Sequence, residues 1–464
     1  MKMRQIPLFV ALLCFVSAGF VFSGGAKESS AGSSQGGAVT IKWLLRSDMG
    51  PKISSWEQTE AAAYQKQHPN VTIDSIASPW ADYNTKLLTM AAGGDIPDVF
   101  ANFAAGFGTF VNRGVVQDLL PYVKKAQMDL PKVLSPSAIS ALTIEGKLYG
   151  LPFDNQPTLV FFNKTLFEKY GVPLPPTSWE DKSWTIDVMT KDAQAIAHVG
   201  KNPTDTTWGL VWTADQLACT SWLWNGDPFA PTGGPTNSVA YKGKKVTETY
   251  FTRPEVVAAM EWYAGLANKL GVSPNLVTLQ ALQQVSDPFA SGKVGMYVGG
   301  GWEFENLLAT QPDFQWGVAP IPYGPGGYDT LELWTDAWSL GKGSKNSDAA
   351  FEFMQFLTQG APAAAFATIT GYLAADLSLI PDQIHKWSQI PGFAQDEATL
   401  TKVVNGGLET QHSFEAPGHL LADYSQLNTI WTNASANFVN GKQSVVDGLK
   451  QVQADMAKQI AQTK

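Results

Sequence analysis

This chain of 464 residues is poor in the residues that most often carry catalysis or metal binding. It has two cysteines and five histidines. Cys14 lies in an apolar N-terminal run, so Cys219 stands alone in the remainder and no internal disulfide is expected there. The histidines (His68, His198, His385, His412, His419) form no H-E-x-x-H pattern, and His412 and His419 stand apart in a Gly/Pro-containing loop. The phosphate-cradling pattern G-x-x-x-x-G-K-[ST] is absent, GKGSKN at 341–346 having the wrong spacing, and there is no G-x-S-x-G elbow to hold a nucleophilic serine. No cofactor, metal or catalytic group is expected. A glycosidase would need two carboxylates set at a defined separation in one cleft, and sequence order alone does not show that.

Basic charge is also scarce. With 32 Lys and Arg against 41 Asp and Glu the formal net charge is -9, and no basic cluster offers a surface to nucleic acid or anionic lipid. Apolar runs are short. The longest, Ile6 to Phe22, falls below the roughly 20 residues of a membrane span. Lys2 and Arg4 precede it and Ser23, Gly24, Gly25 and Ala26 follow, so 1–26 reads as a secretory signal and 27–38 as a flexible leader. Cys14 follows Leu12 and Leu13 inside the apolar run, which does not suit a lipid anchor. An extracytoplasmic or periplasmic location is expected.

What is abundant is tryptophan, sixteen in all. Trp43, Trp56, Trp262 and Trp316 are expected to be structural. The most suggestive stretch is FASGKVGMYVGGGWEF (289–304), where an apolar strand runs into Gly299, Gly300 and Gly301 before Trp302. Three residues without a Cβ let backbone and ligand approach closely, and an indole beside them can close on a crevice. From Val39 onward, strand and helix alternate. VTIKWLLRS, VTIDSIA and IPDVFAN read as strands, and Pro51–Gln67, Ala81–Ala92 and Phe107–Asn112 as helices. The alternation argues for an α/β fold with a largely parallel sheet, whose ligands bind at the carboxyl ends of strands. Arg46, Asp48 and Asn102 lie at such ends. In KLYGLPFDNQPTLVFFNK, Pro152 and Pro157 exclude a central sheet strand and suit a segment crossing between lobes. Asn225–Thr252 reads as a hairpin-containing insertion. Ser347 is expected to cap a helix ended by Gly360, and Ser444-x-x-Asp447 to form a capping box.

Several segments together resemble the family 1 extracellular solute-binding proteins of ABC importers, the group that contains maltose-binding protein. They are SPWADYNTKLLTMAAGGDIPDVF (78–100), EGKLYGLPFDNQPTLVFFNKTLFEKYGVPLPPTSWED (145–181), the 289–304 stretch, 339–375 and FVNGKQSVVDGLKQVQADM. The resemblance implies a two-lobed, type II clamshell with three interlobe crossings, near 152–158, 331–336 and 374–376. It implies a lobe I of 39–154 plus 334–375 and a lobe II of 155–333 plus 376–464. It further implies a monomer that hands a sugar or oligosaccharide to permease subunits driven by a cytoplasmic ATPase. A polyol, a glycerophosphodiester or a peptide is the alternative guest, and an extracellular carbohydrate-active enzyme the remoter one. Carried over one position at a time, Trp302 matches the glycine-flanked aromatic that stacks on a sugar ring. Asp154 lies in the first crossing, Trp334 and Asp336 in the second, and Tyr372 follows the glycine of a G-Y-L element. Arg46, Asp48, Trp80 and Asn102 fall where the first lobe contributes contacts, and Trp222 and Trp224 in a second-lobe segment facing the cleft.

Overall fold

The computed structural model describes residues 37–201, 205–213, 216–234 and 242–462. The expected signal segment 1–26 and most of the leader lie outside the described residues. Two sheets organise the fold, each over its own hydrophobic core. The first has the strand order Val71–Ser78, Val39–Arg46, Val99–Asn102, Ala337–Leu340, Leu151–Pro152. Its three N-terminal strands pair in parallel, with Val39 opposite Val71 and Trp43 opposite Val99. Ala337–Leu340 and Leu151–Pro152 then add antiparallel pairings. The second sheet runs Trp316–Ala319, Leu159–Asn163, Val294–Gly299, Trp208–Trp212, and only its last pairing is parallel. The sheets are therefore more mixed than the strand and helix alternation suggests, because strands arriving by the crossings enter against the direction of their neighbours.

The core of the first sheet draws its buried residues from 41–153 and 337–375. Trp43 sits at its centre, edge-on to Trp56, Trp338 and Phe353 at 6.1, 5.5 and 5.1 Å. Edge-to-face contacts of this kind add to the area term of aromatic burial. The second core is built on Phe161, Phe162, Met296, Trp316 and Trp387. Trp43, Trp56 and Trp316 are buried, as expected, whereas Trp262 is half-buried and donates its Nε1–H to Thr190 Oγ1 at 2.9 Å. A third cluster packs Tyr424–Val439 and Val445–Gln462 against Pro254–Asn268. Leu449, Val452, Met456 and Ile460 form the buried stripe of the last helix, whose Asp447 N–H donates to Ser444 Oγ at 3.1 Å.

Local expectations differ from the structure in four places. The helix Ala104–Asn112 begins earlier than expected, since the Ala104 N–H donates to Asp336 Oδ1 at 2.7 Å, a cap 232 residues away in sequence. Ser347 is the first residue of its helix rather than its cap, its hydroxyl donating back to Ser344 O. Gly360, at φ +59°, opens the following helix instead of ending this one. In 225–252 no paired strands occur among the described residues, and 235–241 lie outside them.

The three crossings lie side by side. Phe153 N donates to Asp336 O at 3.0 Å, Asn155 N to Leu373 O at 3.0 Å, and Thr335 Oγ1 to Asn155 Oδ1 at 2.8 Å. The prolines sit on edge strands, Pro152 in the first sheet and Pro157 in a small sheet with Leu331–Trp334 and Ser413–Glu415, where a missing N–H costs no ladder bond.

Candidate functional site

A cleft of about 190 Å³ opens at the carboxyl ends of the strands and beside the crossings. It gathers Arg46, Trp80, Asp154, Trp302, Trp334, Asp336 and Tyr372 from well-separated stretches of chain, together with Phe103, Ala104, Ala105, Gln156 and Gln216. Trp302 follows the strand Val294–Gly299 and stands at the start of the helix Glu303–Thr310. Trp334 meets it edge-on, with ring centroids 4.7 Å apart and planes at 68°. The two indoles thus form a corner that offers a ring face and a ring edge together. The glycines make this possible: a Cβ at Gly300 would lie 2.1 Å from the Trp302 ring, and one at Gly301 2.1 Å from Gln156 Oε1. Gly300→Ala is accordingly expected to displace the indole and weaken ligand binding at least tenfold, with little change in the far-ultraviolet circular dichroism. Unchanged affinity would show that the corner does not contact ligand.

The floor is polar. Asp154, 0 % exposed, accepts the Asp336 N–H at Oδ1 (2.8 Å), while its Oδ2 receives no hydrogen bond from protein. Burial, reinforced by the nearby Asp336 charge, pushes the Asp154 carboxyl well above the usual range. Burial also pushes Asp336 up to about 7, against the stabilising pull of the Ala104 N–H and the Arg46 guanidinium. Two residues after Asp154 in extended backbone, Gln156 shares its face, and neither polar atom of that buried amide is hydrogen-bonded to protein. Asn155 points the other way, donating to Ser135 Oγ at 2.9 Å and Ser137 Oγ at 3.2 Å. Since a buried polar group left unsatisfied costs about 1–3 kcal/mol, the free atoms of Asp154 and Gln156 are poised for a polar guest.

The rim is held by charge. Arg46 Nε donates to Asp48 Oδ1 at 2.6 Å, its guanidinium carbon lies 5.0 Å from the Trp80 ring centroid, and the Trp80 N–H donates to Asp48 Oδ2 at 3.1 Å. Partial burial opposes ionisation of Asp48, but the Trp80 N–H and Arg46 outweigh it and hold the carboxyl below its ordinary range. Asp48 therefore positions Arg46 and Trp80 and is not itself among the lining residues. Trp80 is 40 % exposed, edge-on to Phe103 at 5.1 Å. Tyr372 also lines the cleft, where burial and then Glu305 push its phenol upward.

Three expected site residues lie elsewhere. Asn102 ends its strand at the right level, but its side chain turns inward and donates to Ser339 Oγ at 2.9 Å. Trp222 is buried in the kinked helical segment Gln216–Trp224, edge-on to Phe414 at 5.5 Å. Trp224 packs against Trp262 at 5.5 Å. Gln156, Gln216 and Phe103 were not expected. The Asp154-x-Gln156 spacing is the one signal that could have found any of them.

Residues 50–363 match the family of bacterial extracellular solute-binding proteins. The chain belongs to that family. Among its relatives, this solute-binding protein is 22 % identical over 450 residues to the galactooligosaccharide-binding protein of Bacillus subtilis, covering 94 % of this chain and 92 % of that one. It is 25 % identical over 443 residues to the diacetylchitobiose-binding protein of Streptomyces coelicolor, covering 94 % and 93 %. Its fold matches that of an ABC substrate-binding protein of Listeria monocytogenes solved with cycloalternan, with a TM-score of 0.73, 21 % identity and coverage of 91 % and 99 %. The two-lobed clamshell expected from the sequence is the fold of this protein. Among the described residues no helix is long and apolar enough to cross a membrane.

Proposed function

We propose that this protein captures a sugar or oligosaccharide between its two lobes and delivers it to the transmembrane subunits of an ABC importer. The observation that carries this reading is the Trp302–Trp334 corner standing over the free polar atoms of Asp154 and Gln156. A carbohydrate ring offers C–H groups on its faces and hydroxyls at its edge, and the cleft supplies an indole face and directional acceptors and donors to match. The names of the relatives support it, each being a binder of a carbohydrate. A guest that touches both lobes binds the closed form more tightly than the open one, and that difference drives closure without chemistry on the guest. In this reading the lobes divide as 39–154 plus 334–375 and 155–333 plus 376–464. The protein works as an exported monomer, and the closed form is what the permease recognises.

Thermal unfolding against a panel of mono- and oligosaccharides, polyols, glycerophosphodiesters and peptides tests the reading. A sugar held at 100 times its Kd is expected to add roughly 2.7 kcal/mol of stability. Stabilisation by peptides or glycerophosphodiesters alone would contradict it.

A further inference from the structure

Two carboxyls from two different crossings line the floor of the cleft, and the cation that pulls on Asp336 is Arg46, on the rim. Asp336 spends Oδ1 on the Ala104 N–H, and Asp154 spends Oδ1 on the Asp336 N–H. The remaining oxygen of Asp154, fully buried and lining the cleft, has no protein donor in full hydrogen-bond geometry, only the Gln156 side chain near enough to ease its ionisation. Arg46 is the one cationic side chain lining the cleft among the described residues, and it stays on the rim, bound to Asp48 and laid over Trp80. The floor is walled by Trp302, Trp334 and Tyr372. Carboxyl oxygens beside aromatic rings form an environment suited to a positive charge.

We propose that the bound carbohydrate carries a protonated primary amine, and that its ammonium sits at Asp154 and Asp336 against the Trp302–Trp334 corner. The proposal rests on the sugar reading above and narrows it to aminated sugars. A neutral hydroxyl would give Asp154 Oδ2 a single proton and do nothing to favour ionisation of the pair. An ammonium supplies three donors and a positive charge. Seating it also draws the pair toward its ionised form, so binding at pH 7 releases protons. The other titratable groups around the floor are Asp48, Glu305 and Tyr372 beside Arg46, Glu332 and Tyr424 behind Gln216, and His419 behind Thr335.

Isothermal titration calorimetry on the mature protein, in two buffers of different ionisation enthalpy at pH 7, tests this. The probes are matched pairs: glucosamine with glucose, and the β-1,4-linked glucosamine disaccharide with cellobiose. The aminated member is expected to bind at least tenfold tighter, with proton release that the neutral member lacks. Asp154→Asn, which keeps an oxygen for the Asp336 N–H, is expected to abolish that preference. Should this variant fail to fold, Asp336→Asn and the proton release of the parent protein decide. A neutral sugar that binds as tightly as its aminated partner would overturn the proposal and leave the sugar reading standing. The same holds if no aminated probe binds while neutral sugars do. Binding by no carbohydrate of either kind would end both.

Discussion

Replacing Trp302 with alanine is expected to weaken sugar binding by about 1–3 kcal/mol, a roughly 5- to 150-fold rise in Kd. The indole is half-buried at the head of the helix Glu303–Thr310, with part of its surface against the second core and part on the cleft. Alanine removes the stacking face and leaves the edge of Trp334 without its partner 4.7 Å away. Because the helix itself is held by Phe304 and Leu307, both buried, the fold should survive with a modest loss of stability. Trp302→Phe keeps a flat ring and should recover most of the affinity. Calorimetric titration of the three proteins with one sugar measures the effect. Equal affinity for Trp302→Ala and the parent would place the guest away from this ring.

A second large effect belongs to the carboxylate pair and is read without added sugar. Folding raises the proton affinity of Asp336 from the usual carboxylate range to about 7 and raises that of Asp154 as well. Between pH about 4 and about 7 the folded protein therefore binds more protons than the unfolded chain, and this contribution to stability falls as pH rises through that window. Asp336→Asn deletes one charge and keeps an oxygen to accept the Ala104 N–H. The variant is expected to match the parent near pH 4 and to exceed it by about 2–4 kcal/mol at pH 8, because each tenfold change in proton affinity is worth about 1.4 kcal/mol. Glu57 and Glu305, each pushed up to about 7 by burial, slope the same way in both proteins. His419, pushed down to about 3 by burial, slopes the opposite way in both. The difference between the two denaturation curves across pH isolates the Asp154–Asp336 pair. A difference independent of pH would mean that Asp336 is ionised throughout.

How much of this was readable in the chain depends on how local each signal is. The first three strands follow from short apolar runs bounded by helix and turn signals, and the last helix from apolar residues at helical spacing, and both signals are local. Trp302 was legible because three glycines mark a close approach beside it. Asp154 was legible because prolines set it in a crossing. The antiparallel strands, the early start of Ala104–Asn112 and the cap on it depend on Asp336 arriving from 232 residues away, which no window of sequence contains. Asn102 illustrates the complementary failure. Its place at a strand end is local and legible, whereas its rotation toward Ser339 is tertiary and is not. Trp222 and Trp224 were expected at the cleft from the resemblance of their segment to a second-lobe element, yet Phe414 packs on the first and Trp262 on the second. Gln156 lies between these cases: alternation in extended backbone puts it on the face of Asp154, but only the assembled cleft shows that the face is ligand-directed.

The most direct test of the whole account is a crystal structure of the protein grown with the sugar that stabilises it most. The account predicts a ring lying against the Trp302 indole with donors turned toward Asp154 and Gln156 and both lobes in contact. A sugar bound on the outer surface of one lobe, with the cleft holding only water, would contradict it.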